Sequence, residues 1–147
     1  MVAVLDRPDG GTRGETQVLP IRSSEDVVRV RQSVRAAAVK LAFSLVDQTK
    51  LVTAASELAR NTLDYGRGGE CRVETLRQGD RVGLRLTFAD DGPGIPDVDQ
   101  ALRDGFTTGN GLGMGLSGSR RLVEDFSIRS TVGVGTTITV ARWTWAR

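Results

Sequence analysis

Two glycine clusters, D-D-G-P-G at residues 90–94 and G-N-G-L-G-M-G-L at 109–116, bracket a short polar segment and carry the residue types of a nucleotide pocket with a lid. Seven glycines (Gly92, Gly94, Gly105, Gly109, Gly111, Gly113 and Gly115) fall within this stretch, an entropically costly way to build a plain connector. Glycine lets backbone approach a ligand closely, and backbone N–H groups at a turn that feeds a helix N-terminus bind phosphate. The second cluster feeds such a helix, with Leu116, Leu122, Val123 and Phe126 as its apolar positions. A P-loop needs Lys followed by Ser or Thr after its last glycine, and residues 111–116 offer no Lys. A dinucleotide fingerprint opens a βαβ unit, and neither cluster does. A third kind of pocket is required.

Two further groups could take part. Glu57 and Asn61 stand one helical turn apart, and therefore stacked, off the apolar stripe of a long helix. Asp90 ends an alternating strand, where an unpaired carboxylate is expensive and a specific partner is favoured.

The elements that must position these groups follow from periodicity. Residues 1–14 are expected as a loose tail, and 15–147 as a single domain. Residues 15–22 suggest a strand that Pro20 demotes to a sheet edge. Ser23 or Ser24 caps a helix extending to about Phe43, and a second helix begins near Asp47 as N-cap and runs to Tyr65 with Gly66 as its stop. Leu51, Val52, Ala55, Leu58, Ala59, Thr62 and Leu63 form the stripe of that helix. Two antiparallel strands joined by Gln78, Gly79 and Asp80 follow, and Val82, Leu84, Leu86 and Phe88 mark the core face of the second. The chain closes on the hairpin F-S-I-R-S-T, V-G-V-G, T-T-I-T-V-A-R-W-T-W. The fold class is an α/β (α+β) two-layer sandwich, a mixed, mostly antiparallel sheet with helices on one face.

Composition narrows the alternatives. With 39% hydrophobic and 26% charged residues the chain is an ordinary globular one, and a net charge of +2 is too small to argue for nucleic acid. A single cysteine, Cys71, points to a reducing, cytoplasmic compartment, and the absence of histidine argues against zinc. No run approaches a membrane span, and the opening M-V-A-V-L is too short for a signal peptide.

Four boxes in order, E-L-A-R-N at 57–61, D-D-G-P-G-I at 90–95, G-L-G-M-G-L at 111–116 and G-T-T-I-T-V at 135–140, together resemble the GHKL ATPase superfamily with its Bergerat ATP-binding fold. The resemblance covers about residues 15–145. Within the superfamily the chain is similar to the small bacterial anti-sigma and serine-protein kinases of partner-switching systems, of the RsbW and RsbT type. Residues 46–61, Tyr65 where relatives often carry His, and 115–126 look closest to the RsbT branch, a stressosome-associated stress-response kinase.

That resemblance implies ATP and Mg²⁺ as cofactors. By it, Asn61 coordinates the magnesium, Glu57 is the general base toward a substrate hydroxyl, and Asp90 accepts the adenine amino proton. It also implies that Gly92 and Gly94 let the base lie on backbone and that Gly111, Gly113 and Gly115 offer N–H groups to phosphate. Thr137 supports the base through its hydroxyl, while Thr139 packs; Asp64, Tyr65, Ile95, Leu112, Met114 and Leu116 complete the nucleotide-binding set. Residues 96–110, including Phe106, Thr107 and Thr108, become the lid. Against these stand plainer readings: a solvated Asn61, and a Glu57 salt-bridged to Arg60 or Arg35. Arg67, Arg120 and Arg121 could reach phosphates or a partner, but read more simply as exposed arginines. Asp91 departs from the Asn or Gln of many relatives, tolerably in a loop.

The implied activity is protein-serine kinase, transferring phosphate from ATP to a STAS-domain antagonist, with a PP2C-type phosphatase as a second target and a monomer or homodimer as the working unit. The alternative is an RsbW-like anti-sigma factor that sequesters a sigma factor. A histidine-kinase fragment is the weakest reading, because the chain has no His and no dimerisation hairpin.

Overall fold

The computed structural model describes residues 2–4, 12–103 and 115–146. In chain order the elements are β1 (Val2–Val4), β2 (Thr12–Ile21), α1 (Ser24–Lys40), α2 (Leu45–Asp64), β3 (Gly69–Gln78), β4 (Arg81–Asp90), α3 (Val98–Ala101), α4 (Gly115–Arg121), β5 (Asp125–Thr131) and β6 (Gly135–Trp145). The strands form one sheet in the order β1-β5-β6-β4-β3-β2. Every described pairing is antiparallel, so the sheet is narrower in type than the mixed one expected. α1, α2 and α4 cover one face.

β2 lies at a sheet edge, as Pro20 requires. Val2–Val4, expected as part of a loose tail, instead pairs with β5 at the opposite edge, in register Val2 to Arg129. The physical reason is that β5 would otherwise present unpaired backbone groups there.

Ser23 caps α1, its hydroxyl accepting from Asp26 N at 3.3 Å. The Asp26 carboxylate takes Arg22 N at 2.9 Å and Arg29 Nη1 at 2.7 Å, and the backbone bond from Arg22 holds its pKa below the ordinary range. α1 stops at Lys40, short of the expected Phe43, because Ala42 adopts φ 61° and turns the chain. α2 starts at Leu45, two residues before the expected cap. Ser44 caps it by accepting from Asp47 N at 3.1 Å, which frees the Asp47 carboxylate to pair with Arg142 Nη2 at 2.8 Å.

α2 buries Leu51, Val52, Ala54, Ala55, Leu58, Ala59 and Thr62 against the sheet. Each buried Leu or Val contributes about 1.5–3 kcal/mol, far above the few tenths by which Val52 and Thr62 disfavour helix. The Thr62 hydroxyl is satisfied by donating to Leu58 O at 2.9 Å. From the sheet, Leu84, Leu86 and Phe88 of β4, Phe126 and Ile128 of β5, and Ile138 and Val140 of β6 meet the helices. Phe126, expected on the short helix, belongs to β5, since α4 ends at Arg121. Cys71 is wholly buried on β3 between Leu19 of β2 and Phe88 of β4, and burial pushes its thiol far above the usual range.

Arg142 Nη1 also donates to Leu122 O at 3.2 Å, so one side chain of β6 joins the start of α2 to the end of α4. Among the described residues no helix is long and apolar enough to cross a membrane.

Candidate functional site

The last turn of α2, the end of β4 and the start of β6 converge at one end of the sandwich. Strand alternation directs Leu84, Leu86, Phe88 and then Asp90 toward the helices. Asp90 sits opposite Gly69 on β3 and opposite Thr136 on β6. Its Oδ1 accepts from Gly92 N at 2.9 Å and from Thr136 N at 3.3 Å. Both bonds end on the same oxygen, and among the described residues no donor is recorded at Oδ2. Burial raises the Asp90 pKa first, opposed by those two N–H groups, with the charge of Asp91 raising it again.

The chain can bring these elements together only through glycine at Gly66. A Cβ there would lie 2.5 Å from both Cβ and Oδ2 of Asp90, and one on Gly92 would lie 2.7 Å from Gly66 Cα. The turn after α2 and the turn after β4 are thus in backbone contact, and Asp90 is wedged beside them. Gly66→Ala should therefore force either turn to move: a loss of about 1–3 kcal/mol in urea unfolding accompanied by weaker nucleotide binding in calorimetry. Unchanged affinity in a folded variant would separate this contact from the site. Gly94, at φ 78°, packs against the Thr131 carbonyl, and Gly133 N donates to Pro93 O at 2.8 Å, so the D-D-G-P-G turn rests on the β5–β6 hairpin.

Glu57 and Asn61 are half-buried on α2, one turn apart beside the core stripe, and the Asn61 carbonyl accepts from Tyr65 N and Gly66 N. Asp64 and Tyr65 are exposed at the helix end, Tyr65 at 40%. Ile95 is partly buried against the core, and Leu116 is buried on α4, which packs on α2. Gly115 is the first residue of α4; Gly111, Leu112, Gly113 and Met114 lie outside the described residues, as do Phe106, Thr107 and Thr108. The first part of the expected lid is held down: Asp97 caps α3, whose Val98 and Ala101 are buried.

One expected residue is on the wrong face. Thr137 pairs with Ala89 and Arg129 and alternates with buried Thr136 and Ile138, so it points to the helix-free side of the sheet together with Thr139. Thr136 is the threonine beside Asp90. Counting parity back from Val140 and Ile138 identifies it, and the same parity through Phe126 and Ile128 identifies Ser130. Ser130 is fully buried, with its hydroxyl 2.8 Å from Thr136 Oγ1 and accepting from Ile95 N at 2.7 Å.

The chain belongs to the histidine kinase-, DNA gyrase B- and HSP90-like ATPase family, whose model matches residues 46–144. The chain therefore carries an ATP-binding domain of that family. The chain is similar to the serine/threonine-protein kinase RsbT of Bacillus subtilis, 42% identical over 123 residues that cover 84% of this chain and 92% of that one. It is also 31% identical to the anti-sigma F factor of Bacillus licheniformis, over 83% of this chain and 86% of that protein. Among solved structures, the RsbU and RsbW domains of a Mycobacterium tuberculosis protein share the fold with a TM-score of 0.61 at 19% identity, covering 91% of this chain and 34% of that one.

Proposed function

We propose that the protein is a Mg-ATP-dependent protein-serine kinase of a bacterial partner-switching pathway. The observation that carries this is Asp90: a carboxylate with one oxygen held by two backbone donors and the other lying beside Gly66, at the end of the helix that carries Glu57 and Asn61. The likeness to RsbT over most of both chains supports the kinase assignment.

In this reading Oδ2 of Asp90 accepts the adenine amino proton, and Gly92, Gly94 and Ile95 form the surface on which the base lies. Thr136 takes the supporting role expected of Thr137. Gly111, Gly113 and Gly115 meet the phosphates, with Leu112, Met114 and Leu116 around them and Asp64 and Tyr65 at the rim. Asn61 holds Mg²⁺ through its amide oxygen. A magnesium ion that keeps waters and phosphate oxygens needs few protein ligands. Mg-ATP supplies a γ-phosphoryl group whose charge is already partly neutralised. Glu57 accepts the proton of the substrate serine as its oxygen bonds to phosphorus and the bond to the ADP oxygen breaks.

The substrate is a serine of a small STAS-domain antagonist. Phosphorylation places about two negative charges in the interface and releases the kinase to a second partner, a PP2C-type phosphatase. Incubation of the protein with such an antagonist, labelled ATP and Mg²⁺ should give labelled phosphoserine, abolished by a chelator; absence of transfer counts against the reading. The likeness to an anti-sigma F factor favours a second reading, sequestration of a sigma factor. Nucleotide-dependent co-purification with a sigma factor in place of a phosphatase would decide for it.

A further inference from the structure

We propose that Arg142 sets the phosphate end of the site against its catalytic helix, by joining the far ends of α4 and α2 through one guanidinium. The proposal rests on the nucleotide-site reading above.

Arg142 lies on the helix-facing side of β6, in parity with Ile138 and Val140, and its side chain is 17% exposed. A guanidinium has only donors, so the direction of each of its bonds is fixed. Nη1 donates to Leu122 O at 3.2 Å and Nη2 to Asp47 Oδ1 at 2.8 Å. Leu122 follows α4 directly, where a helix end leaves carbonyls without intrahelical partners. Asp47 stands in the first turn of α2. Two neighbouring bonds, Glu124 N to Ala141 O at 3.1 Å and Trp143 N to Glu124 Oε1 at 2.8 Å, fix the turn after α4 to β6. Arg142 carries that fixed point on to α2. Nε of the same side chain is buried with no partner among the described residues, which is a cost. A largely buried ion pair can moreover be exchanged for apolar side chains with little loss of stability, so stability alone is a weak reason for an arginine here. The planar fork is what no apolar residue supplies.

The consequence falls on α4. It begins at Gly115, the last glycine of the run read as phosphate-facing, and is seven residues long, about 10 Å. So short a helix takes its direction from what holds its two ends. Its first turns are held by burial of Leu116, Ser117 and Ser119, and the residue just past its last turn by Arg142. α2 carries Glu57 and Asn61, and Thr136, which holds Asp90, lies on β6 itself. A shift at the far end of α4 therefore moves the phosphate end against the general base and the metal ligand. The base-reading end around Asp90 stays where it is, because its bonds run to Gly92 and Thr136 and not to α4.

Arg142 touches no nucleotide in this reading and acts through α4; it is a positioning residue. The test measures dissociation constants for Mg-ATP and for AMP, by calorimetry, in the unaltered protein and in Arg142→Lys, with urea unfolding alongside. Both nucleotides present the same base, and only ATP extends along the whole glycine run. A lysine head is a single point that reaches Asp47 or Leu122 O but does not span both. Arg142→Lys is expected to weaken ATP by about tenfold and AMP by less than about twofold. Equal weakening of both nucleotides in the folded variant, or weakening of neither, shows a merely structural arginine and overturns the proposal. If Arg142→Lys does not fold cooperatively, the double variant Arg142→Met with Asp47→Leu exchanges the ion pair for apolar contact. Its unfolding midpoint should stay near that of the unaltered protein while the ATP-to-AMP preference falls by a similar factor, and an unchanged preference overturns the proposal. An unaltered protein that binds AMP as tightly as ATP sinks the nucleotide-site reading itself, a different result from a strong ATP preference indifferent to Arg142.

Discussion

Asp90→Asn is expected to lower ATP affinity by about 100-fold while leaving the domain folded, and to bring ITP level with ATP or ahead of it. The asymmetry of the Asp90 hydrogen bonds is the reason. Gly92 N–H and Thr136 N–H both point at the Oδ1 position, so an asparagine must place its carbonyl oxygen there and its NH₂ where Oδ2 was. The backbone bonds survive, and so does the turn. The group facing the base changes from acceptor to donor, and a donor facing the adenine amino group leaves both without a partner. Loss of a hydrogen bond to a charged group costs about 1.5–3 kcal/mol, the upper end being close to two decades in affinity. Calorimetry with both nucleotides measures it, and retention of ATP affinity would remove Asp90 from base recognition. The same carboxyl makes binding pH-dependent. Burial raises its pKa above the ordinary 3.8, so the folded, empty protein binds this proton more readily than the unfolded chain and loses that stabilisation as pH rises through the raised value. In the proposed base recognition ATP needs the ionised form, so its affinity is expected to fall as pH is lowered through that raised value, before an ordinary aspartate would titrate.

The second large effect falls on turnover instead of binding. Glu57→Gln should reduce phosphoryl transfer to the antagonist by about 10²–10⁴, the usual worth of a general base, with the ATP dissociation constant unchanged. Glu57 sits a full turn before Asn61, off the core stripe and half-buried, so the near-isosteric amide leaves the buried face of α2 intact. The stabilisation on adding ATP, about 2.7 kcal/mol at a hundredfold excess over the dissociation constant and seen as a rise in melting temperature, should survive the substitution. Equal transfer by the variant would return Glu57 to the role of a salt-bridging surface carboxylate.

What could be read in the chain beforehand was whatever depends on local period. The α2 stripe, the β4 alternation that ends on Asp90, the edge position of Pro20 and the closing hairpin were all legible, because burial on one face writes a 3.6 or 2.0 repeat into the residues themselves. Elements decided by distant partners were not. Ser44 and Asp47 are both good caps, and the choice between them depends on Arg142, 95 residues away, which takes the Asp47 carboxylate. V-A-V at residues 2–4 is too short to announce a strand until β5 offers it an edge. Thr137 for Thr136 was an error of parity in a run of threonines, which the flanking Ile138 and Val140 could have prevented. Gly66 read correctly as a helix stop, but its contact with Asp90 joins two turns that sequence separates by two strands.

The sole thiol of the molecule sits on β3, next to the edge strand β2 and in the core beneath the helices, with its proton held far from neutral titration. An alkylating reagent cannot meet a thiolate there while the strand is seated. The rate at which this atom is modified is thus a native clock for opening of the α1–β2 flank, needing no introduced label, and it runs at the side of the sheet remote from β5 and its hairpin.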